Sequence, residues 1–412
     1  MHPLVSKLGH SMSWAFVAQI LLFVIPLVQL TFLSRTVGVD AFGHLVLASA
    51  IGQLCGLFAD FGLSQLLPVL VAEHSGRSNI SLLFAASTRL RLAITMPVVI
   101  LALVISRLAY PAIPASTILL GALAGSLAVL VPTWAFLGLE RLRDLALIGG
   151  VSQALVLAFV VLLVDGSGDI NTVLLLQIGG TMCGIGLSML LLARQGQGLS
   201  WGLIMSGDAT ALAVRATSYC VSRVAVSTYI YLPPLFLGAF AGSAELALFG
   251  AAERLYRASQ AIFFPVLQAF LPMMVRTKDF TFFRDVTSKA IATSAIMAFV
   301  MVLWGSEICR LLFGEVFSPA GELLGVFGIA LIVNTAAVFV GYPLFESIGK
   351  PQYANRSVTI GALLHLAGVS ALLALDWISG WSMVILILFT EITVAAYRIA
   401  VASRISFPRV SE

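Results

Sequence analysis

Apolar residues run through this chain in twelve long blocks separated by short polar connections. Their approximate limits are 13–34, 43–70, 86–106, 113–138, 145–164, 170–193, 214–239, 246–274, 288–309, 321–345, 355–375 and 379–402. A helix needs about 20 apolar residues to cross the hydrocarbon of a bilayer. Each block therefore predicts one spanning helix, and the whole predicts an all-α polytopic membrane protein. The second and eighth blocks are longer than a span requires, which predicts tilt or an extension beyond the bilayer.

Composition narrows this picture. Of 412 residues, 60% are hydrophobic and 10% charged, against about 45–50% and about 25% in soluble domains. So little polar sequence cannot cover a soluble surface or supply a large extramembrane domain. The net charge of +4 does not point to nucleic acid, because the basic residues stand singly, without a basic-aromatic patch. Their positions report orientation instead. One set of alternate connections holds Lys7; Arg77, Arg89 and Arg91; Arg141 and Arg143; Arg194 and Arg215; Arg276, Lys278, Arg284 and Lys289; Lys350 and Arg356; and Arg398, Arg404 and Arg409. The other face holds Arg35, Arg107 and Arg310. The positive-inside rule then predicts cytoplasmic N- and C-termini, with the polar lead before the first block read as a cytoplasmic tail rather than a cleaved signal. Cys55, Cys183, Cys220 and Cys309 all lie in apolar stretches without metal-type spacing and read as small packing residues.

The chain also repeats itself. Gly38-Val-Asp-Ala-Phe-Gly43 opens a stretch ending at Pro68, and Gly242-Ser-Ala-Glu-Leu-Ala-Leu-Phe-Gly250 opens one ending at Pro272. Both pairs of landmarks lie 204 residues apart, close to half the chain. Six spans per half bring both copies in from the same side, a parallel repeat. The expected organisation is two similar six-helix lobes, 1–200 and 201–412, around a central cavity, which is a transporter architecture.

Charge inside the spans is the next signal. An ionised side chain at the bilayer centre costs about 2.5–3.5 kcal/mol on insertion scales, so it faces a partner or a wet cavity. Glu253 and Arg257 are spaced i,i+4 in the favourable order and predict a structural pair. Arg254 and Arg257 are spaced i,i+3 and share a face, which suits a phosphate or an acidic sugar. Arg223 either pairs across helices or lines the cavity. Asp60 and Glu391 are candidates for ion coupling, with a helix–helix hydrogen bond as the other reading of Asp60. Arg89 and Arg91 read as topology signals, and Arg398 as a boundary residue free to snorkel. Tyr219, Tyr229 and Tyr231 occur among the hydroxyls of the seventh span. They suit either an interfacial belt or sugar contacts, with Tyr229 the candidate substrate residue. No nucleotide loop, nucleophile elbow, zinc motif or loop carboxylate pair occurs, so no cofactor, metal or catalytic residue is expected. The short connections leave no large loop for a polymerase or ligase.

Four stretches carry a family likeness: Leu33-Ser-Arg35 through Gly43 with Asp60-Phe-Gly62-Leu-Ser-Gln65; Pro132-Thr-Trp134 through Arg143; Leu237-Gly238 through Glu253-Arg254 and on to Pro272; and Leu311-Leu-Phe-Gly314-Glu. In these the chain resembles the polysaccharide (O-antigen-type) flippases of the MATE/MviN-like exporter superfamily. The resemblance implies a twelve-helix exporter in the bacterial inner membrane. Its implied substrate is an undecaprenyl-pyrophosphate-linked oligosaccharide, and its surroundings are membrane lipids and other polysaccharide-assembly proteins. Arg254 matches the family's basic position after the Glu of the third stretch. The alternatives are an ion-coupled multidrug or small-cation antiporter of the same superfamily and, further off, a polymerase or ligase.

Overall fold

The computed structural model describes residues 24–73, 77–194 and 209–404. The start of the first expected span, most of the 194–213 connection, and the tails with Lys7 and Arg409 lie outside the described residues. Among the described residues all regular structure is helical. In the first part of the chain these are α1 (24–36), α2 (Val39–Asp60), α3 (Leu63–Glu73), α4 (Arg77–Ala109), α5 (Ala115–Ala128), α6 (Thr133–Gly138), α7 (Leu142–Leu163) and α8 (Ile170–Ala193). The second part holds α9 (Ala209–Phe240), α10 (Ser243–Ala261), α11 (Phe264–Thr277), α12 (Phe280–Phe313), α13 (Ala320–Val340), α14 (Tyr342–Ser347), α15 (Gln352–Ala374) and α16 (Gly380–Ser403). Among the described residues ten stretches are long and apolar enough to cross a membrane, and the remaining two expected spans fall on α1 and α9. The protein is an all-α, multi-pass membrane protein. Its exposed helix faces agree: Met96, Ile100, Leu101, Val104 and Leu108 stand on the open side of α4, a stripe suited to lipid and not to water.

The two overlong blocks are not single tilted rods. The second is broken into α2 and α3, where Phe61 adopts the left-handed conformation (φ 49°, ψ 29°) and Gly62 has φ 78°. The eighth is broken into α10 and α11 at Ile262 and Phe263. The fourth and tenth blocks also break, at Val129–Pro132 and at Gly341. Proline or glycine marks each of the four breaks, Pro265 standing in the first turn of α11, for the usual reason that one removes a helix hydrogen bond and the other tolerates unusual dihedrals.

The chain divides into two compact units, Met1–Ser227 and Thr228–Glu412, and the boundary falls within α9. Each unit repeats the same order of elements. Helices α4 and α12 have 33 and 34 residues, α6 and α14 have six each, and α8 and α16 have 24 each. Helices α2 and α10 start from glycines of matching conformation, Gly38 (φ 79°, ψ 168°) and Gly242 (φ 90°, ψ 170°). That region of dihedral space is essentially open only to glycine.

Neighbours repeat as well. In the first unit α2 packs on α5, α4 on α5, α5 on α8, α7 on α8 and α3 on α6. In the second, α10 packs on α13, α12 on α13, α13 on α16, α15 on α16 and α11 on α14. In the first unit Gly52 and Gly56 of α2 lie directly against Gly121 and Gly125 of α5, a small-residue contact that brings the two backbones together. In the second the closest approach moves to Gly305 of α12 against Gly321 of α13. The first unit's core gathers Leu63, Leu67, Trp134 and Phe136. The second relies on rings: Phe327 of α13 lies 4.8 Å from Tyr256 and 5.6 Å from Phe249, both on α10.

Candidate functional site

In the first unit the charge collects at the α2–α3 break. Asp60 is the last residue of α2 and is wholly buried. Its carboxylate accepts the backbone N–H of Ser64 at 3.2 Å and the Ser64 hydroxyl at 2.6 Å. It thereby satisfies an orphan donor at the start of α3 and places negative charge at that helix's positive end. Arg91 of α4 donates from Nη2 to Asp60 Oδ1 at 2.6 Å and is 1% exposed. Arg223 of α9 brings Nη1 to 3.5 Å from Asp60 Oδ2, with about a third (35%) of its side chain exposed. Of the two readings of Arg223, the structure therefore has a cross-helix ion pair.

Arg91 corrects the sequence reading. It is no topology signal in a loop, because α4 begins at Arg77, nine residues before the expected span. Two residues along a helix turn about 200°, which leaves Arg89 exposed and buries Arg91. Arg398 needs the same correction. It is 4% exposed and does not snorkel. Its Nε donates to Ser357 Oγ at 2.8 Å, and its Nη1 donates to the Ala337 carbonyl at 2.6 Å. That carbonyl is free because the Gly341 N–H turns to Val338 instead, so Arg398 closes the C-terminal end of α13 at its break.

The second unit holds a larger polar set around a cavity of about 90 Å3. Glu253 and Arg257 of α10 meet at 2.6 Å. Arg257 Nη2 also donates to the Ile230 carbonyl of α9 at 3.0 Å. Pro234, four residues on, has no N–H to offer that carbonyl, so a proline inside α9 leaves an acceptor for Arg257. Across the cavity Gln260 Nε2 donates to Asn334 Oδ1 at 3.0 Å, and Asn334 Nδ2 donates to Glu391 Oε2 at 3.1 Å. Glu391 is buried. Tyr256 and Phe327 complete much of the wall.

Arg254 feels the charges of Glu253, Arg257 and Tyr231, and forms no hydrogen bond or ion pair with a described residue. Three of the candidates, Glu253, Arg257 and Glu391, thus line one cavity with Arg254 beside them, while Arg223 and Asp60 form a separate cluster. The side chain of Tyr229 lies outside the described residues. Sequence reasoning missed Gln260 and Asn334. An amide in mid-span carries the same signal as a charge, more weakly, and Asn334 was legible on that ground.

The described residues hold no group of three or more His, Cys, Asp and Glu side chains able to hold a metal. His365, wholly buried, bonds Thr390 at 3.1 Å as a packing contact.

Residues 8–278 match the family of polysaccharide biosynthesis proteins. The chain belongs to this family. It is 22% identical over 385 residues to a protein of Shigella dysenteriae described as "Putative O-antigen transporter", covering 91% of this chain and 95% of that protein. Among solved structures it is similar to the lipid II flippase MurJ in an inward closed conformation, with a TM-score of 0.72, 14% identity, and coverage of 96% of this chain and 88% of that one. It is also similar to an inward-facing multidrug resistance transporter of the MATE family in the MOP superfamily, with a TM-score of 0.66, 11% identity, and coverage of 94% and 98%. At these identities the two structures establish a shared fold. The family read from the four sequence stretches is the family the chain matches.

Proposed function

We propose that the protein is a flippase that carries a lipid-linked oligosaccharide, with an undecaprenyl-pyrophosphate anchor, across the bacterial inner membrane for surface polysaccharide assembly. The observation that carries this reading is intramembrane positive charge. Arg254 has no hydrogen-bonding or ion-pair partner among the described residues, and Arg257 and Arg223 are each about one third exposed. Guanidinium forks match phosphate oxygens, and unspent donors inside a span call for an anionic ligand. Transport proceeds by alternating access, with Arg223, Arg254, Arg257 and Tyr229 contacting the pyrophosphate or sugar.

The lobes are 1–200 and 201–412. The order of elements supports this, since α9 precedes α10 as α1 precedes α2. Both termini are cytoplasmic, membrane lipids surround the protein, and other polysaccharide-assembly proteins are its partners. Of the two carboxylates considered for ion coupling, Glu391 takes that role because it lines the cavity. The protein needs no cofactor and acts as a transporter, not an enzyme.

The test replaces Arg223, Arg254 and Arg257 singly by alanine in a strain lacking the chromosomal copy. Each variant should insert normally and lose surface polysaccharide. Full polymer from all three would refute the assignment. A second reading, an ion-coupled multidrug or cation antiporter, draws on Glu253 and Glu391 sharing one cavity. Drug sensitivity with intact surface glycan in the deletion strain would favour it.

A further inference from the structure

The Asp60 cluster is lopsided in both geometry and charge. Oδ1 of Asp60 is committed: Arg91 Nη2 and Ser64 Oγ both reach it at 2.6 Å. Oδ2 accepts the Ser64 backbone N–H at 3.2 Å and meets Arg223 at 3.5 Å, beyond the 2.7–2.9 Å or so of a charge-assisted hydrogen bond. Arg91 is sealed in the protein, whereas about a third of the Arg223 side chain is exposed (35%). Arg223 donates no hydrogen bond to a described residue. Among the described residues the charged groups acting on Arg91 are Asp60 and Arg223, so there two guanidiniums share one carboxylate.

We propose that Asp60 is a positioning residue for Arg223: it holds the guanidinium loosely in place until an oxyanion of the phosphate or pyrophosphate class displaces the carboxylate and takes Arg223 over. The inference rests on the reading of Arg223 as a substrate contact and adds how that contact is prepared. Asp60–Arg91 is the permanent pair, and Asp60–Arg223 is the exchangeable one. A loose pair keeps the long Arg223 side chain near its working position, which lowers the ordering penalty on binding. It also competes with the ligand, so removing Asp60's charge should strengthen anion binding. A merely structural Asp60 makes the opposite prediction.

Removing Asp60 alone would strand Arg91, so the main variant is Asp60→Asn with Arg91→Gln, a neutral pair that can still hydrogen-bond. The full-length protein is placed in lipid nanodiscs, and inorganic pyrophosphate is titrated by calorimetry, with folding checked by the thermal unfolding midpoint. The double variant should bind pyrophosphate about fivefold more tightly, the worth of one partly exposed ion pair. Adding Arg223→Gln should abolish the gain. A second measurement needs no substitution. Phenylglyoxal modification of the unaltered protein, read by mass spectrometry, should label Arg223 and not Arg91, and pyrophosphate should protect Arg223. Unchanged or weaker binding by a folded double variant overturns the inference, as does absence of protection. If that happens while Arg257→Gln still weakens binding, the pyrophosphate site stands and only the role of Asp60 falls. If pyrophosphate binds no variant and not the unaltered protein, the site and this inference fall together.

Discussion

Helices α2 and α10 begin on glycines in the same conformation and head units with the same order of helices, yet the two units carry their buried charge at positions that do not correspond. By the 204-residue offset, Glu253, Arg254 and Arg257 match Ser49, Ala50 and Gln53. Arg91 stands at the fifteenth position of α4, and the same position of α12 is Ser294. Arg398 stands at the nineteenth position of α16, and the same position of α8 is Ser188. The first unit uses buried Asp60 to cap a helix start, with arginines gathered on it. The second uses a buried arginine to cap a helix end and leaves two carboxylates at a cavity. The scaffold is duplicated and the chemistry is not. Backbone architecture follows from span length and breaks, which tolerate many side chains, whereas a buried charge is stable only where partners from other helices reach it.

The contrast can be broken most forcefully at Asp60. Asp60→Ala leaves Arg91 buried without its carboxylate, and unfolding in detergent should show a loss of about 3–5 kcal/mol. The neutral pair of Asp60→Asn with Arg91→Gln should stay within about 1 kcal/mol of the unaltered protein. A comparable loss in both variants would show that the Asp60 site needs charge as such.

Arg398→Met comes next. It frees the Ala337 carbonyl and Ser357 Oγ, and should lower stability by about 2–3 kcal/mol, the range for hydrogen bonds to a charged group. Its counterpart Ser188 bonds only its own helix, at Gly184, so Ser188→Ala should change stability by about 0.5 kcal/mol or less. Equal losses at the two positions would erase the asymmetry between α16 and α8.

A smaller effect is expected at Gln260→Ala, which removes one of the two amide links to Glu391, at about 1 kcal/mol. Glu391→Gln should be nearly silent in stability, because the amide oxygen still accepts from Asn334. Substrate movement into vesicles should nonetheless lose its response to an imposed ion gradient. A variant that keeps that response would remove Glu391 from ion coupling.

Much of the fold was legible in the sequence. Ten of the twelve apolar blocks recur among the described residues as helices long and apolar enough to cross a membrane, because lipid tests only local hydrophobicity, and the 204-residue echo of Gly38 in Gly242 recurred as matched dihedral angles. The α2–α3 break was visible only as excess length, read as tilt or an extension beyond the bilayer; the left-handed conformations of Phe61 and Gly62 that make the break left no signal of their own. The site was legible in part. Glu253 and Arg257 share one helix face, and an i,i+4 spacing is a local fact. The partners of Asp60 come from α4 and α9, and no spacing along α2 could name them.

The sequence by itself therefore determined the membrane class, the number of crossings, the internal repeat and the presence of scarce charge inside the spans. All but the repeat, which is read by comparing segments 204 residues apart, depend on residues near one another along the chain and on the bilayer as solvent. Only the tertiary structure decided which charges are buried and whom they meet: Arg91 with Asp60, Arg398 with the end of α13, and Glu391 with Asn334 at a cavity. Helix rotation and the packing of neighbouring helices set those meetings. A turn of 100° per residue is enough to move an arginine such as Arg89 or Arg91 between an exposed face and a sealed ion pair.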